Sequence, residues 1–171
     1  MFLTRSFPSP LCPLLAVASE RGLVALAFAD PQDPSNEPWL KKRFGAQPLV
    51  AGDAPALDAV GHWLAGYFSG QPGPPQAVPL DLIGTPFERA VWQLLLEIPY
   101  GATTSYGALA KKLGKPPGAA RAIGGAVGSN PLGVLVPCHR VLGAKGELTG
   151  YAGGLPKKRW LLHHEGALLF G

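Results

Sequence analysis

Ser105-Tyr-Gly-Ala-Leu-Ala-Lys-Lys-Leu-Gly-Lys-Pro-Pro-Gly-Ala-Ala-Arg-Ala-Ile-Gly-Gly-Ala-Val-Gly128 is the stretch on which the fold turns. A short helix runs from about Ser105 to Leu113, and Gly114 stops it. Lys115-Pro-Pro117 is a tight link, and a second helix follows from roughly Pro117 to Gly128. Two short helices joined by a few residues read as a helix-turn-helix. At about 100° per residue, Ala119, Ala120, Ile123, Ala126 and Val127 form the core face of the second helix. Arg121 points the opposite way, ringed by Pro117, Gly118, Gly124, Gly125 and Gly128. A glycine inside a helix costs about 1 kcal/mol against alanine. Close packing of another helix accounts for the glycines alone. Close approach to a nucleic-acid backbone, with Arg121 entering a groove, accounts for the glycines and the arginine together.

Upstream, Thr85 can cap a helix, Pro86 suits its first position, and Glu88 completes a capping box. Phe87, Ala90, Val91, Leu94 and Ile98 fall on one face, and Pro99 and Gly101 end the helix. A domain boundary is placed near Gly84. The first unit, 1–84, then holds a hairpin of Leu14–Ser19 and Leu23–Ala29 around Glu20-Arg21-Gly22. It also holds a short basic helix over Pro38–Phe44 and a helix over Leu57–Phe68 with apolar residues at 57, 60, 64, 67 and 68. Gly70–Gln76 is too rich in proline and glycine for a helix or a central strand. Val78–Ile83 reads as a strand returning to this unit. Downstream, Leu132–Val136 reads as an extended apolar run into Pro137-Cys138-His139-Arg140, and a last helix spans Leu155–Glu165, closed by Gly166.

The 171 residues are enough for one medium domain or two small ones, and the composition is that of an ordinary soluble globular protein. No run is long and apolar enough to span a membrane, and the N-terminus lacks the basic start and apolar core of a signal peptide. Cys12 and Cys138, the two cysteines, differ so much in context that a disulfide is not expected, which suits a reducing compartment. Residues 1–84 carry five Lys/Arg and seven Asp/Glu, whereas residues 85–171 carry ten and four. A basic half carrying Cys138 fits a polyanionic partner; charge alone leaves a solvated basic face equally open.

A thiol beside an imidazole is the pairing that activates a nucleophile, because the thiolate reacts and a nearby base produces it. Tyr106, Arg121, Asn130, Cys138, His139, Tyr151 and Glu165 are the polar groups of the second half that can converge. A Cys-His-carboxylate set serves a thiol hydrolase or a thiol that accepts an alkyl group. A hydrolase has no use for a glycine-faced helix with an arginine at its centre. No P-loop or dinucleotide fingerprint occurs, and the histidines lack metal-ligand spacing, so neither cofactor nor metal is expected.

Over about Gly84 to Leu169 the chain closely resembles the O6-alkylguanine-DNA alkyltransferases. The resemblance rests on Gly84-Thr-Pro-Phe87, Ile98-Pro-Tyr-Gly101, Ser105-Tyr106, Ala119-Ala-Arg-Ala122, Gly124-Gly-Ala126 and Ser129-Asn-Pro131. It continues in Pro137-Cys-His-Arg-Val141, Gly150-Tyr-Ala-Gly-Gly154 and Trp160-Leu-Leu-His-His-Glu-Gly166. It implies an α/β N-terminal domain (1–84, ribonuclease-H-like, a small antiparallel sheet plus helices). A mainly α, winged-helix-like C-terminal domain with the helix-turn-helix (85–171) would follow, entering the minor groove of double-stranded DNA. It further implies that a damaged guanine is flipped out of the stack, with Arg121 filling the vacancy and Tyr106 assisting rotation. Ala120, Gly124 and Gly125 would lie against the DNA.

In that reading Cys138 takes the alkyl group irreversibly, so each molecule acts once. His139 removes the thiol proton through a water, and Glu165 orients the imidazole. Asn130 holds the turn around Cys138. The Tyr106 hydroxyl donates to the purine ring and the Ala152 N–H to its exocyclic oxygen. The Val141 and Cys138 carbonyls read its amine, while Val127 and Tyr151 shape the pocket. The chain departs from some relatives in having alanine at 152, and in offering only Cys12 and His62 where others bind a structural zinc. A monomer acting in the cytoplasm, with no membrane partner, is expected. The alternative is a lesion-sensing or regulatory DNA-binding module with Cys138 as the alkylation sensor. Activity on O4-alkylthymine stays open.

Overall fold

The apolar runs flanking Glu20-Arg21-Gly22 pair as an antiparallel hairpin in the computed structural model, which describes residues 1–30, 32 and 36–168. They are strands β2 (Leu14–Ala18) and β3 (Leu23–Phe28). A strand not foreseen from the sequence, β1 (Phe2–Phe7), pairs antiparallel with β2 from Leu3↔Ala18 to Phe7↔Leu14. Helix α1 (Asn36–Phe44) then carries the chain across to β4 (Leu49–Ala51), which joins β1 in parallel. The sheet order is β3-β2-β1-β4. The sheet expected to be antiparallel is therefore mixed, because a crossover helix returns the chain in the same direction.

Helix α2 (Pro55–Phe68) covers this sheet with Leu57, Val60, Trp63, Leu64 and Tyr67 buried. Its close approach uses Gly61, where a Cβ would stand 2.7 Å from the Phe7 ring. Each fully buried large apolar side chain stabilises by about 1.5–3 kcal/mol, so this face fixes the unit. Val78–Ile83 is not a strand. It makes one parallel bridge, Leu23↔Leu80, with Leu23 N–H donating to the Pro79 carbonyl and Asp81 N–H to the Leu23 carbonyl. Pro79 has no N–H with which to extend a ladder. These elements form one compact unit, Met1–Leu82.

The second unit, Ile83–Gly171, opens on α3 (Pro86–Leu95). Both halves of the Thr85–Glu88 capping box are present, at 3.0 and 3.1 Å. Glu88 also accepts from the Ser129 hydroxyl at 2.7 Å, and buried Trp92 donates through Nε1 to the Ala126 carbonyl at 2.9 Å. The start of α3 thus holds the end of α5 (Ala120–Gly128). The helix-turn-helix is α4 (Tyr106–Lys112, capped by the Ser105 side chain), a 3₁₀ turn at Pro117–Ala119, and α5. The second helix is shorter than expected at its start. Pro116 and Pro117 favour the tighter turn, since neither donates an N–H.

Strands β5 (Thr104–Ser105) and β6 (Val141–Leu142) pair in parallel, and α6 (Leu155–His164) closes the unit. Among the described residues no helix is long and apolar enough to cross a membrane. Leu169, the last residue of the family-like half, lies outside the described residues, as do 170 and 171.

Candidate active site

The Leu132–Val136 run is a turn, not a strand. Asn130 folds it: its Oδ1 accepts from Leu132 N–H at 3.0 Å and its Nδ2 donates to the Val136 carbonyl at 2.8 Å. Val134 sits at φ 68, and Leu135 N–H donates to the Gly133 carbonyl at 2.8 Å, a γ-turn of positive φ. A β-branched residue there costs on the order of 1–3 kcal/mol. Burial of Leu132, Val134, Leu135 and Val136 and the two Asn130 bonds offset that cost. A second tight turn at Pro137 (φ −82, ψ 63) closes with Cys138 N–H on the Val136 carbonyl at 2.8 Å. Cys138 therefore starts a 3₁₀ turn on a buried support of two tight turns.

A cleft of about 270 Å³ opens at Cys138, lined by Tyr106, Gly124, Val127, Asn130, Tyr151 and Ala152 among the expected residues, together with Gly128 and Gly150. That is just under the roughly 300–1,000 Å³ of drug-sized ligand sites, the scale of a single base. Cys138 keeps 8% of its surface. His139 is wholly buried behind it, and its Nε2 lies 2.7 Å from Glu165 Oε2 at the end of α6. With Nε2 donating to the carboxylate, Nδ1 keeps its lone pair, and no partner for Nδ1 occurs among the described residues. The site thus contains a thiol, a base and a carboxylate holding that base, the logic of an activated nucleophile.

On the cleft's flank, α5 keeps Ile123, Ala126 and Val127 buried and Arg121 exposed. A Cβ added at Gly118, Gly125 or Gly128 would meet nothing within 4 Å, so no packed neighbour requires those glycines. Gly124 differs, since its Cβ would stand 3.8 Å from the Tyr106 ring. Gly107 on α4 also faces open space.

Two domain models describe such an arrangement. A 6-O-methylguanine DNA methyltransferase ribonuclease-like domain matches residues 3–82, and the DNA binding domain of the same proteins matches residues 86–167. The chain belongs to the 6-O-methylguanine DNA methyltransferase family. It is 43% identical to the methylated-DNA–protein-cysteine methyltransferase of Mycobacterium leprae over 96% of this chain and 93% of that one. The Salmonella typhimurium protein of the same name is 55% identical over 106 residues, which span 62% of this chain and 61% of its own length. The crystal structure of Mycobacterium tuberculosis O6-methylguanine methyltransferase superposes with a TM-score of 0.77 at 40% identity, covering 97% and 93% of the two chains. A Mycobacterium tuberculosis relative in complex with DNA gives 0.79 at 40% identity over 96% and 92%.

In this member of the family the electrostatics of the site set the resting state. Burial pushes the Cys138 thiol up, against the Asn130 hydrogen bond and the Lys158 charge, which pull it down. Burial pushes His139 down, partly reversed by its bond to Glu165. The resting pair is thus thiol and neutral imidazole, with the base ready to take a proton. Burial also raises the Glu165 carboxyl, but bonds to His139 and Arg140 prevail and bring it to about 2.

Two charged groups missed in the sequence complete the site. Arg140 donates from Nε and Nη2 to Glu165 at 2.7 and 2.9 Å, and from Nη1 to the Ile98 carbonyl at 2.6 Å. Lys158, fully buried, donates from Nζ to the Val141 carbonyl at 2.7 Å and the Thr149 carbonyl at 3.0 Å. The Val141 carbonyl, expected to read the purine amine, thus already accepts from Lys158, and Val141 is not among the cleft's lining residues. Lys158 did have a signal. Lys158, Leu161, Leu162 and Glu165 lie at i, i+3, i+4 and i+7, so two charges share the buried face of one helix.

Removing the Lys158 charge takes away a field that favours the thiolate. Lys158→Met is expected to move the midpoint of Cys138 alkylation by iodoacetamide to higher pH, followed by mass spectrometry at that residue. An unmoved midpoint would show that Lys158 only braces the two carbonyls.

Proposed function

We propose that this chain reverses alkylation damage in duplex DNA by moving the alkyl group of O6-alkylguanine onto Cys138, once per molecule. The observation that carries this reading is a single nearly buried thiol at the floor of a base-sized cleft, backed by the His139–Glu165 pair. The exposed, glycine-faced α5 with Arg121 beside that cleft suits minor-groove binding, and Arg121 takes the place of a base turned into the cleft.

His139 Nδ1 takes the thiol proton, through a water as in the family. The imidazolium that forms is held by Glu165, which Arg140 keeps ionised. The Cys138 sulfur then forms its bond to the alkyl carbon as the carbon–O6 bond breaks, and that electron pair passes to the purine. The purine ring takes a proton from the Tyr106 hydroxyl, which is restored from solvent as His139 releases the proton it took, and the Ala152 N–H meets the oxygen. Asn130 holds the turn that presents the sulfur. Val127 and Tyr151 bound the pocket, and burial keeps the Tyr151 phenol neutral. The thioether product has no built route back to the thiol. A Cys138 thiol held outside any disulfide fits a reducing, cytoplasmic setting.

Incubation with duplex DNA containing O6-methylguanine tests this by intact mass. One methyl group per protein is expected, mapped to Cys138, and none on the Cys138→Ala variant. Tight lesion binding with no gain in mass would instead indicate a sensor.

A further inference from the structure

We propose that Thr149 is a positioning residue whose hydroxyl sets the direction of the Tyr106 O–H, and so controls proton donation to the departing purine. This rests on the alkyl-acceptor reading above. The Tyr106 hydroxyl lies 2.8 Å from Thr149 Oγ1, and either oxygen can be the donor. Tyr106 lines the cleft at Cys138, whereas Thr149 is not among its lining residues. Thr149 therefore meets the Tyr106 hydroxyl from outside the cleft's lining.

Both partners are fixed. Thr149 is tied by its carbonyl to the buried Lys158 ammonium at 3.0 Å, which also grips Val141 on β6 at 2.7 Å. Tyr106 opens α4, whose cap is Ser105 Oγ accepting from Ala108 N–H at 3.1 Å, and its ring rests against Gly124. The Tyr106 ring is thus placed by α4 and α5, and the loop carrying Thr149 is pinned to α6 through the Lys158 bond.

A tyrosine hydroxyl has one proton to give. If Tyr106 donates to Thr149, it shows the cleft a lone pair, which faces a purine ring nitrogen unfavourably. If Thr149 donates to Tyr106, the phenol proton points into the cleft, and the accepted bond strengthens it as a donor. Negative charge building on the purine favours the second state. The change needs only two hydroxyl rotations, and neither group loses its partner. Valine at 149 removes the backing donor while keeping a β-branched shape.

The test measures benzyl transfer to the full-length protein from O6-benzylguanine and from its 8-aza analogue, whose purine is the better leaving group. Thr149→Val should slow transfer from O6-benzylguanine by about tenfold, the size of one hydrogen bond to a developing charge. The loss should shrink on the 8-aza substrate, Thr149→Ser should recover the rate, and Thr149→Val should add nothing in a Tyr106→Phe background. A rate unchanged in Thr149→Val overturns the proposal. So does an equal loss on both substrates that persists in the Tyr106→Phe background, since a purely structural role would give that pattern. A wild-type protein that gains no methyl mass at Cys138 from duplex O6-methylguanine overturns the alkyl-acceptor reading itself, and the proposal with it.

Discussion

Glu165→Gln is expected to weaken both the fold and the reaction. Its carboxylate serves His139 on one side and Arg140 on the other, wholly buried from solvent. Removing one member of a buried pair leaves the other charge uncompensated, at about 3–5 kcal/mol. Here that charge is Arg140, left among the described residues with the neutral Ile98 carbonyl and the Tyr100 ring. The stability loss should appear in urea unfolding at neutral pH. Its pH dependence follows from the carboxyl being held at about 2 against an ordinary 4.5. A depressed carboxyl gives stability that is full above its unfolded value and lost as pH falls through its folded value. The gap between wild type and variant should therefore hold from neutral pH to near 4.5 and close toward 2. Transfer should slow by at least about 100-fold, the lower range for a general base, because the imidazolium loses its counter-charge. A gap that does not close in acid would mean that the carboxylate is not the stabilising group. Unchanged transfer would remove Glu165 from the proton path.

The second large effect separates DNA from chemistry. Arg121 is exposed on α5, on the face where three glycines meet open space. If it holds the vacancy left by a flipped base, it offsets an unstacking cost of a few kcal/mol, so Arg121→Ala should slow repair of duplex O6-methylguanine by about 100-fold. Reaction with free O6-benzylguanine needs no flipping and should be unchanged. Equal losses on both substrates would place Arg121 in the pocket's own structure instead.

The local parts of the molecule were readable because their determinants are local. Thr85, Pro86 and Glu88 start α3 through bonds three residues apart. The faces of α5 follow from periodicity, with Ile123, Ala126 and Val127 buried and Arg121 exposed. The glycine surface admitted two readings, and its surroundings bear on one of them: Gly125 and Gly128 face open space, so no packed neighbour among the described residues requires them, whereas Gly124 meets an aromatic ring. Strand β1 went unread because most of its side chains are half-buried on both faces, leaving no alternation, and β4 is only three residues long. The Leu132–Val136 run misled for a different reason. Its apolar composition suits a buried strand, yet Asn130 supplies side-chain bonds that fold it into a turn.

By itself, then, the sequence determined the second unit's helices, its family, and Cys138 beside His139 as the candidate nucleophile and base. Tertiary structure alone decided which charges meet there. Lys158 reaches Val141 from 17 positions away, Arg140 reaches Glu165 from 25, and Tyr106 finds Thr149 across 43. Propensity and periodicity report energies within a few residues. Contacts at these separations exist because α6 and the Asn130 turn pack against one core, and their partners follow from that packing.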